Sequence, residues 1–130
     1  MRATPPAWRS RAALAFVFLW FLLGGLAHFA FTEAEMRIVP PWVPLPRMAV
    51  LLSGALELAG AAGLLWPRTR RVAAWGLFAL TVAVTPANVH MLQQADQFPQ
   101  VPVWALVLRL PLQLLLLWVI WRVAAAAPHR

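Results

Sequence analysis

Residues 47–66 read RMAVLLSGALELAGAAGLLW, and the rest of the chain is interpreted around them. At about 1.5 Å per residue in a helix, this mostly apolar stretch is long enough to cross a hydrocarbon core. One carboxylate, Glu57, lies in its middle, where an unpaired charge is energetically costly. Ser53, Gly54 and Gly60 share the face of Glu57, so neighbouring helices can approach and surround the carboxylate. The stretch therefore predicts a membrane-spanning helix organised around Glu57.

The composition is that of a membrane protein rather than a soluble domain. Of 130 residues, 62% are hydrophobic and 12% are charged, whereas soluble domains carry about 25% charged residues. Lysine is absent, and eleven arginines face four acidic residues, for a net charge of +7. Because no polar domain presents these arginines as a patch, we expect them to contact phospholipid, with no nucleic acid partner.

Cysteine and tyrosine are absent, and tryptophan is abundant. The lack of cysteine excludes disulfide exchange, thiol catalysis and thiolate metal ligation within this chain. Several tryptophans fall near the predicted span ends, where interfacial indoles are common. These are Trp8, Trp42, Trp66, Trp104 and Trp121.

Four apolar segments predict an all-α fold, an antiparallel bundle of four transmembrane helices in one domain, 1–130. The spans cover about residues 12–31, 47–66, 72–91 and 103–123. The first segment is too long for the apolar core of a signal peptide, so we interpret it as a span.

The connections between the spans are rich in proline and arginine. Residues 40–46 read PPWVPLP, which predicts a stiff, extended segment lying across the mouth of the bundle as a lid. Pro67–Arg71 predicts a tight basic turn. Pro86 removes a backbone hydrogen bond and predicts a kink in the third helix.

The arginine distribution predicts the orientation of the spans. Eight arginines fall at one side of the predicted bundle: Arg2, Arg9, Arg11, Arg68, Arg70, Arg71, Arg122 and Arg130. The other side holds Arg37 and Arg47 against Glu33, Glu35 and Asp96. The positive-inside rule therefore predicts cytoplasmic N and C termini.

The polar side chains within the predicted spans lie mainly in the outer half. Glu57 and Gln113 fall near the midplane, and Arg109, Asn88 and His28 fall farther out. The cytoplasmic half is almost entirely apolar. This distribution predicts a polar pocket that opens to the outer face or outer leaflet.

Glu57 and Arg109 are opposite charges on different predicted helices, about one turn apart in depth. The sequence predicts an ion pair between them, with Ser53 and Gln113 completing its hydrogen bonds. Two interpretations remain open. The pair is either a structural clasp that fixes helix register, or part of a site that handles a ligand or a proton.

His28, His90 and Asn88 complete the candidate ligand-binding residues. The histidines lack a partner histidine at helical spacing, so hydrogen bonding to a ligand or to loop carbonyls is favoured over metal binding, and no metal site is predicted. Glu33 or Glu35 would be needed to complete one. Asn88 either caps backbone groups freed by Pro86 or contacts the ligand directly.

Several motifs resemble the DoxX family of small bacterial four-helix membrane proteins, in particular its short DoxX-like branch. The motifs are GGLAHF (24–29), PWVP (41–44), SGALELAG (53–60), PRTRRVAAW (67–75), TPANVHM (85–91) and RLPLQ (109–113). The resemblance covers about residues 14–122. It implies a bacterial inner-membrane protein, accessory to a membrane redox system linked to quinone.

Because the chain has no redox-active side chain or cofactor motif, electron chemistry would belong to a bound quinone or to a redox partner protein. A stand-alone enzyme is not expected, and no covalent cofactor is predicted. The leading hypothesis is therefore a pocket that binds quinone, lipid or another amphipathic molecule. The alternatives are a ligand-free scaffold for a partner protein and a small lipid or solute transporter. Ala59, Gly60 and Gly63 either support a homo-oligomer or pack the monomer.

Overall fold

The computed structural model describes residues 7–128, with side chains from Arg9 onward, and the described chain consists of helices and their connections, with no strand between its first and last described residues. The helices are α1 (Ala7–Ala30), α2 (Thr32–Met36), α3 (Pro46–Leu64), α4 (Pro67–Ala83), α5 (Thr85–Gln93) and α6 (Val103–Ala126), and a 3₁₀ turn covers Ala95–Gln97. The predicted all-α class is confirmed. Arg2, Arg130 and the side chain of Trp8, all used in the sequence predictions, lie outside the described residues.

Four helical stretches are long and apolar enough to cross a membrane, as judged by length and composition. They are Arg9–Ala30, Pro46–Leu64, Pro67–Gln93 and Val103–Ala126. Between residues 9 and 128, large apolar side chains cover much of the outer surface. Leu23, Val72 and Leu114 are each more than 60% exposed. A bilayer would provide the apolar environment that such surfaces require.

The long helices pack in a ring, in which α1 and α4 each contact both α3 and α6. Their shared core contains fully buried Val17, Leu64, Leu77 and Ile120. This core lies in the half of the ring nearest the connection between α3 and α4. The opposite half is less tightly filled and contains the polar side chains described below.

The connection between α3 and α4 is shorter than predicted. Pro67 occupies the first turn of α4, a position where its missing N–H costs nothing, so the arginines after it are helical rather than part of a loop. The Thr69 hydroxyl donates to the carbonyl oxygen of Gly63 at 2.6 Å, and Arg70 Nε donates to that of Leu64 at 2.7 Å. These bonds satisfy the carbonyls at the end of α3.

Glycines bring α3 close to its neighbours on both sides. A Cβ atom at Gly54 would lie 2.6 Å from His28 Cβ in α1, and one at Gly63 would lie 2.8 Å from Ala73 Cβ in α4. A Cβ atom at Gly60 would overlap the buried Leu77 side chain. Gly60 and Gly63 therefore pack the monomer, which is one of the two roles considered for them.

Proline interrupts the third long helical stretch, as predicted. The backbone bends at Val84, where α4 ends, and Pro86 lies in the first turn of α5. Pro86 lacks an N–H group and cannot continue the hydrogen-bond ladder of α4. The break turns α5 towards α6, which it contacts, and this places Thr85 and Asn88 beside Gln113.

Candidate functional site

A cavity of about 660 Å³ lies in the less tightly packed half of the helical ring. Its walls are mainly apolar and include Trp20, Phe21, Val50, Leu80, Leu106 and Leu116. Its polar lining consists of His28, Glu35, Ser53, Glu57, Thr81, Asn88, Arg109 and Gln113. A largely apolar cavity with a few convergent polar groups is typical of small-molecule sites.

All the predicted site residues except His90 line this cavity. His90 lies on α5 beside a second, more open cavity, which it shares with Trp42, Pro86 and Val89. The lid segment also reaches the main cavity, through Pro40, Trp42 and Val43. The segment is not extended as predicted: Val43 N–H donates to the carbonyl oxygen of Pro40 at 3.0 Å, which closes a turn, and Pro46 already belongs to α3.

The polar centre of the cavity is a contact between His28 and Glu57. His28 Nε2 lies 3.0 Å from Glu57 Oε2, and the two side chains are 19% and 14% exposed. On the other side of the imidazole ring, His28 Nδ1 lies 2.9 Å from the carbonyl oxygen of Val50. A carbonyl oxygen only accepts hydrogen bonds, so Nδ1 must carry a proton.

At a separation of 3.0 Å, either His28 Nε2 or Glu57 Oε2 is expected to carry a proton. With Nδ1 protonated, Nε2 either donates to the carboxylate as part of an imidazolium or accepts from a protonated Glu57. Two unprotonated atoms at this distance would place lone pair against lone pair. The pair can thus hold one proton on either partner, which suits it to exchange a proton with a bound molecule.

The backbone explains why these residues meet. A helical side chain leans towards the N-terminus of its own helix, so Glu57 in the middle of α3 reaches back towards the end of α1. Gly54, one turn earlier, leaves room for the His28 side chain against the backbone of α3. Gly24 is on α1, one turn before His28, and a Cβ atom added there would lie 3.6 Å from the Glu57 carboxylate oxygens.

The predicted ion pair between Glu57 and Arg109 does not form in the described structure. Glu57 contacts His28 instead, because α3 packs closely on α1 whereas α6 lies across the cavity. Arg109 is exposed, and its Nη1 lies 3.6 Å from Met91 Sδ. The prediction used depth along the helices and took no account of which helices are neighbours.

Glu35 also lines the cavity, although it is not among the ligand-binding residues predicted from the sequence. It lies on the short helix α2, and its Oε2 atom is 3.2 Å from His28 Nδ1. The carboxylates of Glu35 and Glu57 approach different nitrogens of the His28 imidazole. A metal ion bound to one of these nitrogens could therefore not contact both carboxylates. Among residues 7–128, no group of three histidine, cysteine or acidic side chains is arranged to hold a metal.

Burial raises the pKa of Glu35, and the nearby Glu57 carboxylate adds to that effect, while His28 and Arg109 oppose it. The folded protein therefore binds this proton more tightly than the unfolded chain does. Stability is lost as pH rises from the unfolded value, roughly 4.3, through the raised folded value.

We accordingly expect Glu35→Gln to melt at a higher temperature than the original protein at neutral pH. The difference should shrink as pH falls and vanish near pH 3, because Glu35 is then protonated in both states. Thermal melts in detergent between pH 3 and 7 measure this. Asp96→Asn removes an exposed carboxylate that does not line the cavity and is the control. A Glu35→Gln effect that is independent of pH would contradict the account.

A second polar cluster joins α5 to α6 across the cavity wall. The amide group of Gln113 accepts a hydrogen bond from Asn88 Nδ2 and donates one to the hydroxyl of Thr85. Thr85 donates in turn to the carbonyl oxygen of Thr81, 3.1 Å away. Asn88 therefore bonds a side chain on another helix, rather than capping the backbone groups freed by Pro86.

Comparison with protein families places the chain in the family described as "Domain of unknown function (DUF8561)", whose model matches residues 6–124. The chain belongs to that family. No curated protein and no solved structure matches it. The predicted membership of the DoxX family is therefore wrong. The motifs that carried the resemblance, small-residue helix contacts and proline breaks, are common to many compact helical membrane proteins.

Proposed function

We propose that the protein is an integral membrane protein whose cavity binds an amphipathic small molecule. The supporting observation is the combination of apolar walls with two buried carboxylate oxygens: Glu35 Oε2 has no hydrogen-bond partner among the described residues, and Glu57 Oε2 has only the close contact with His28 Nε2. Buried polar atoms are ordinarily hydrogen-bonded, so these oxygens have capacity for a polar head group. The molecule's apolar body would pack against residues such as Trp20 and Leu116.

In this proposal, the protein lies in a bacterial inner membrane as an antiparallel bundle with both termini in the cytoplasm. Four sufficiently long apolar helices support insertion. The arginines at the α3–α4 connection and the acidic residues at the opposite end support the orientation, because cytoplasmic segments are enriched in arginine.

The proposed orientation predicts which residues can be labelled from outside the cell. The chain has no native cysteine, so single cysteines can be introduced without background. We expect Asp96→Cys to react with a membrane-impermeant maleimide in intact spheroplasts, and Arg68→Cys to react only after lysis. Both positions are exposed. The reverse pattern would overturn the orientation, and labelling of both before lysis would overturn insertion.

A quinone is one amphipathic molecule that fits these requirements. Its ring oxygens would accept hydrogen bonds, and the His28–Glu57 pair would exchange a proton with one of them. A cavity of about 660 Å³ lies within the range of roughly 300–1,000 Å³ typical of small-molecule sites. Electrons would come from a redox partner protein, and this chain would supply hydrogen bonds and a proton.

Tryptophan fluorescence tests binding, because Trp20 and Trp42 line the cavity. The purified protein in neutral detergent is titrated with a short-chain ubiquinone analogue, which quenches nearby indoles. We expect saturable quenching that is reduced in Trp20→Phe and Trp42→Phe. Trp118→Phe is the matched control, since Trp118 is exposed and does not line the cavity.

Quenching that rises linearly without saturation, and falls equally in all three variants, would overturn quinone binding. Lipids with various head groups would then be tested for their ability to protect Trp20 from collisional quenching by the same analogue. If none of them protects Trp20, a ligand-free scaffold would be favoured.

A further inference from the structure

Two carboxylates supply the ligand cavity with hydrogen-bond acceptors that the protein leaves largely unused. Glu35 Oε2 has no hydrogen-bond partner among the described residues. It lies 3.2 Å from His28 Nδ1, but the hydrogen on that nitrogen is directed to the carbonyl oxygen of Val50, 2.9 Å away. Glu57 Oε2 has only its contact with His28 Nε2. The Glu35 and Glu57 side chains are 27% and 14% exposed and line the cavity, so a ligand can reach both carboxylates.

The protonation of these groups leaves the ligand facing acceptors. An ionised carboxylate accepts hydrogen bonds and donates none. At the contact between His28 and Glu57, the proton lies between the two partners whichever of them carries it, so it is not directed at the cavity. A ligand beside ionised Glu35 therefore meets lone pairs at both carboxylates.

The hydrogen-bond donors on the rest of the cavity wall serve mainly the protein itself. The Thr81 hydroxyl donates to the carbonyl oxygen of Leu77 at 2.7 Å. Asn88 donates to Gln113, which donates in turn to a neighbouring hydroxyl. Arg109 keeps N–H groups for a ligand, but it is exposed on α6, across the cavity from the carboxylates. The side of the cavity formed by α1, α2 and α3 is therefore rich in acceptors.

We infer that the cavity selects a ligand whose head group donates hydrogen bonds, as a hydroxyl or a protonated amine does. A head group with acceptors alone would place lone pairs against the carboxylates and leave both sides unsatisfied, which is costly away from water. The inference rests on the proposed function, because it concerns the same cavity, and it adds the chemical class of the head group. For a quinone, it means that the reduced form, which carries two ring hydroxyls, binds more tightly than the oxidised form.

The first arm of the test compares the oxidised and reduced forms of the short-chain ubiquinone analogue, which share one apolar body. The full chain in neutral detergent is titrated anaerobically with each form by calorimetry at about pH 8, well above the ordinary carboxyl range. We expect the reduced form to bind about ten- to a hundredfold more tightly, the effect of hydrogen bonds to charged acceptors. Glu35→Gln should lower this preference about fivefold, because an amide oxygen is a weaker acceptor than a carboxylate. Asp96→Asn, at an exposed position outside the cavity, should leave it unchanged.

The second arm compares dodecylamine with dodecyltrimethylammonium in the same titration. Both compounds carry one positive charge and the same apolar chain, and only the amine has N–H groups to donate. A preference for the donating member of either pair supports the inference. The pair with the larger preference identifies the head group as a hydroxyl or as an amine.

Equal binding within both pairs would overturn the inference and leave the proposed function intact, since the cavity would still bind amphipathic molecules. Tighter binding of the members without donors, or an unchanged preference in Glu35→Gln, would also overturn it. Saturable binding of none of the four compounds would overturn the proposed function and the inference together. Thermal melting of each variant reports whether the fold is retained.

Discussion

Gly54→Ala is expected to destabilise the protein by about 1–3 kcal/mol, the usual cost of overpacking a tight contact. The added methyl group would lie 2.6 Å from His28 Cβ and 3.1 Å from Phe29 Cε2. His28 Cβ is fixed to the backbone of α1, so the clash cannot be relieved by rotating a flexible side chain. The two helices would have to separate, which loses packing along their whole contact.

Two other glycines provide matched controls for this substitution. A Cβ atom at Gly24 would lie 3.6 Å from the Glu57 carboxylate oxygens, an ordinary contact, and one at Gly76 would meet nothing within 4 Å. Gly24→Ala should therefore be tolerated, and Gly76→Ala should stabilise α4 by about 0.5–1 kcal/mol through helix propensity. Thermal melts of the three variants in the same detergent measure the effect. Equal melting of Gly54→Ala and Gly24→Ala would contradict the close contact of α1 and α3.

Glu57→Gln is expected to weaken ligand binding by roughly ten- to a hundredfold, the effect of losing a charge-assisted hydrogen bond. The fold should be retained, because the amide of glutamine can still donate to His28 Nε2 while Nδ1 bonds Val50. What the variant loses is the proton that His28 and Glu57 share. Titration with the ubiquinone analogue measures affinity, and thermal melting reports the fold.

Asp96→Asn is the control for Glu57→Gln, because it neutralises an exposed carboxylate by the same chemical change. It should leave both affinity and melting temperature as they are. Unchanged affinity in Glu57→Gln would remove the His28–Glu57 pair from the site and make it a structural clasp between α1 and α3, the role that the sequence analysis left open for a Glu57–Arg109 pair.

Much of the helical architecture could be predicted from the sequence, because long apolar segments and proline breaks act locally. The break near Pro86 and the packing of Gly54 both follow from backbone chemistry alone. The sequence predicts that the third span begins near residue 72, because the arginines after Pro67 suggest a turn. In the structure, α4 begins at Pro67. A proline in the first turn of a helix is compatible with arginines directly after it.

The partner of Glu57 could not be read from depth alone. Along the predicted spans Arg109 lies closer than His28 to Glu57 in depth, and only the neighbour relations of the helices favour His28. One local signal did favour His28, because the glycines at 24, 25 and 54 mark α1 and α3 as the closest pair. Glu35 was undervalued because it lies outside the apolar segments, on a connection whose path the sequence does not specify.

Occupancy of the cavity by a small molecule is tested most directly by one comparison. The original protein and Glu57→Gln are extracted gently from their own membrane and analysed by native mass spectrometry. We predict a stoichiometric amphipathic molecule on the original protein, and its loss or strong depletion from the variant, with the melting temperature retained. The same small molecule on both proteins, or none on either, would contradict the claim that Glu57 holds a ligand.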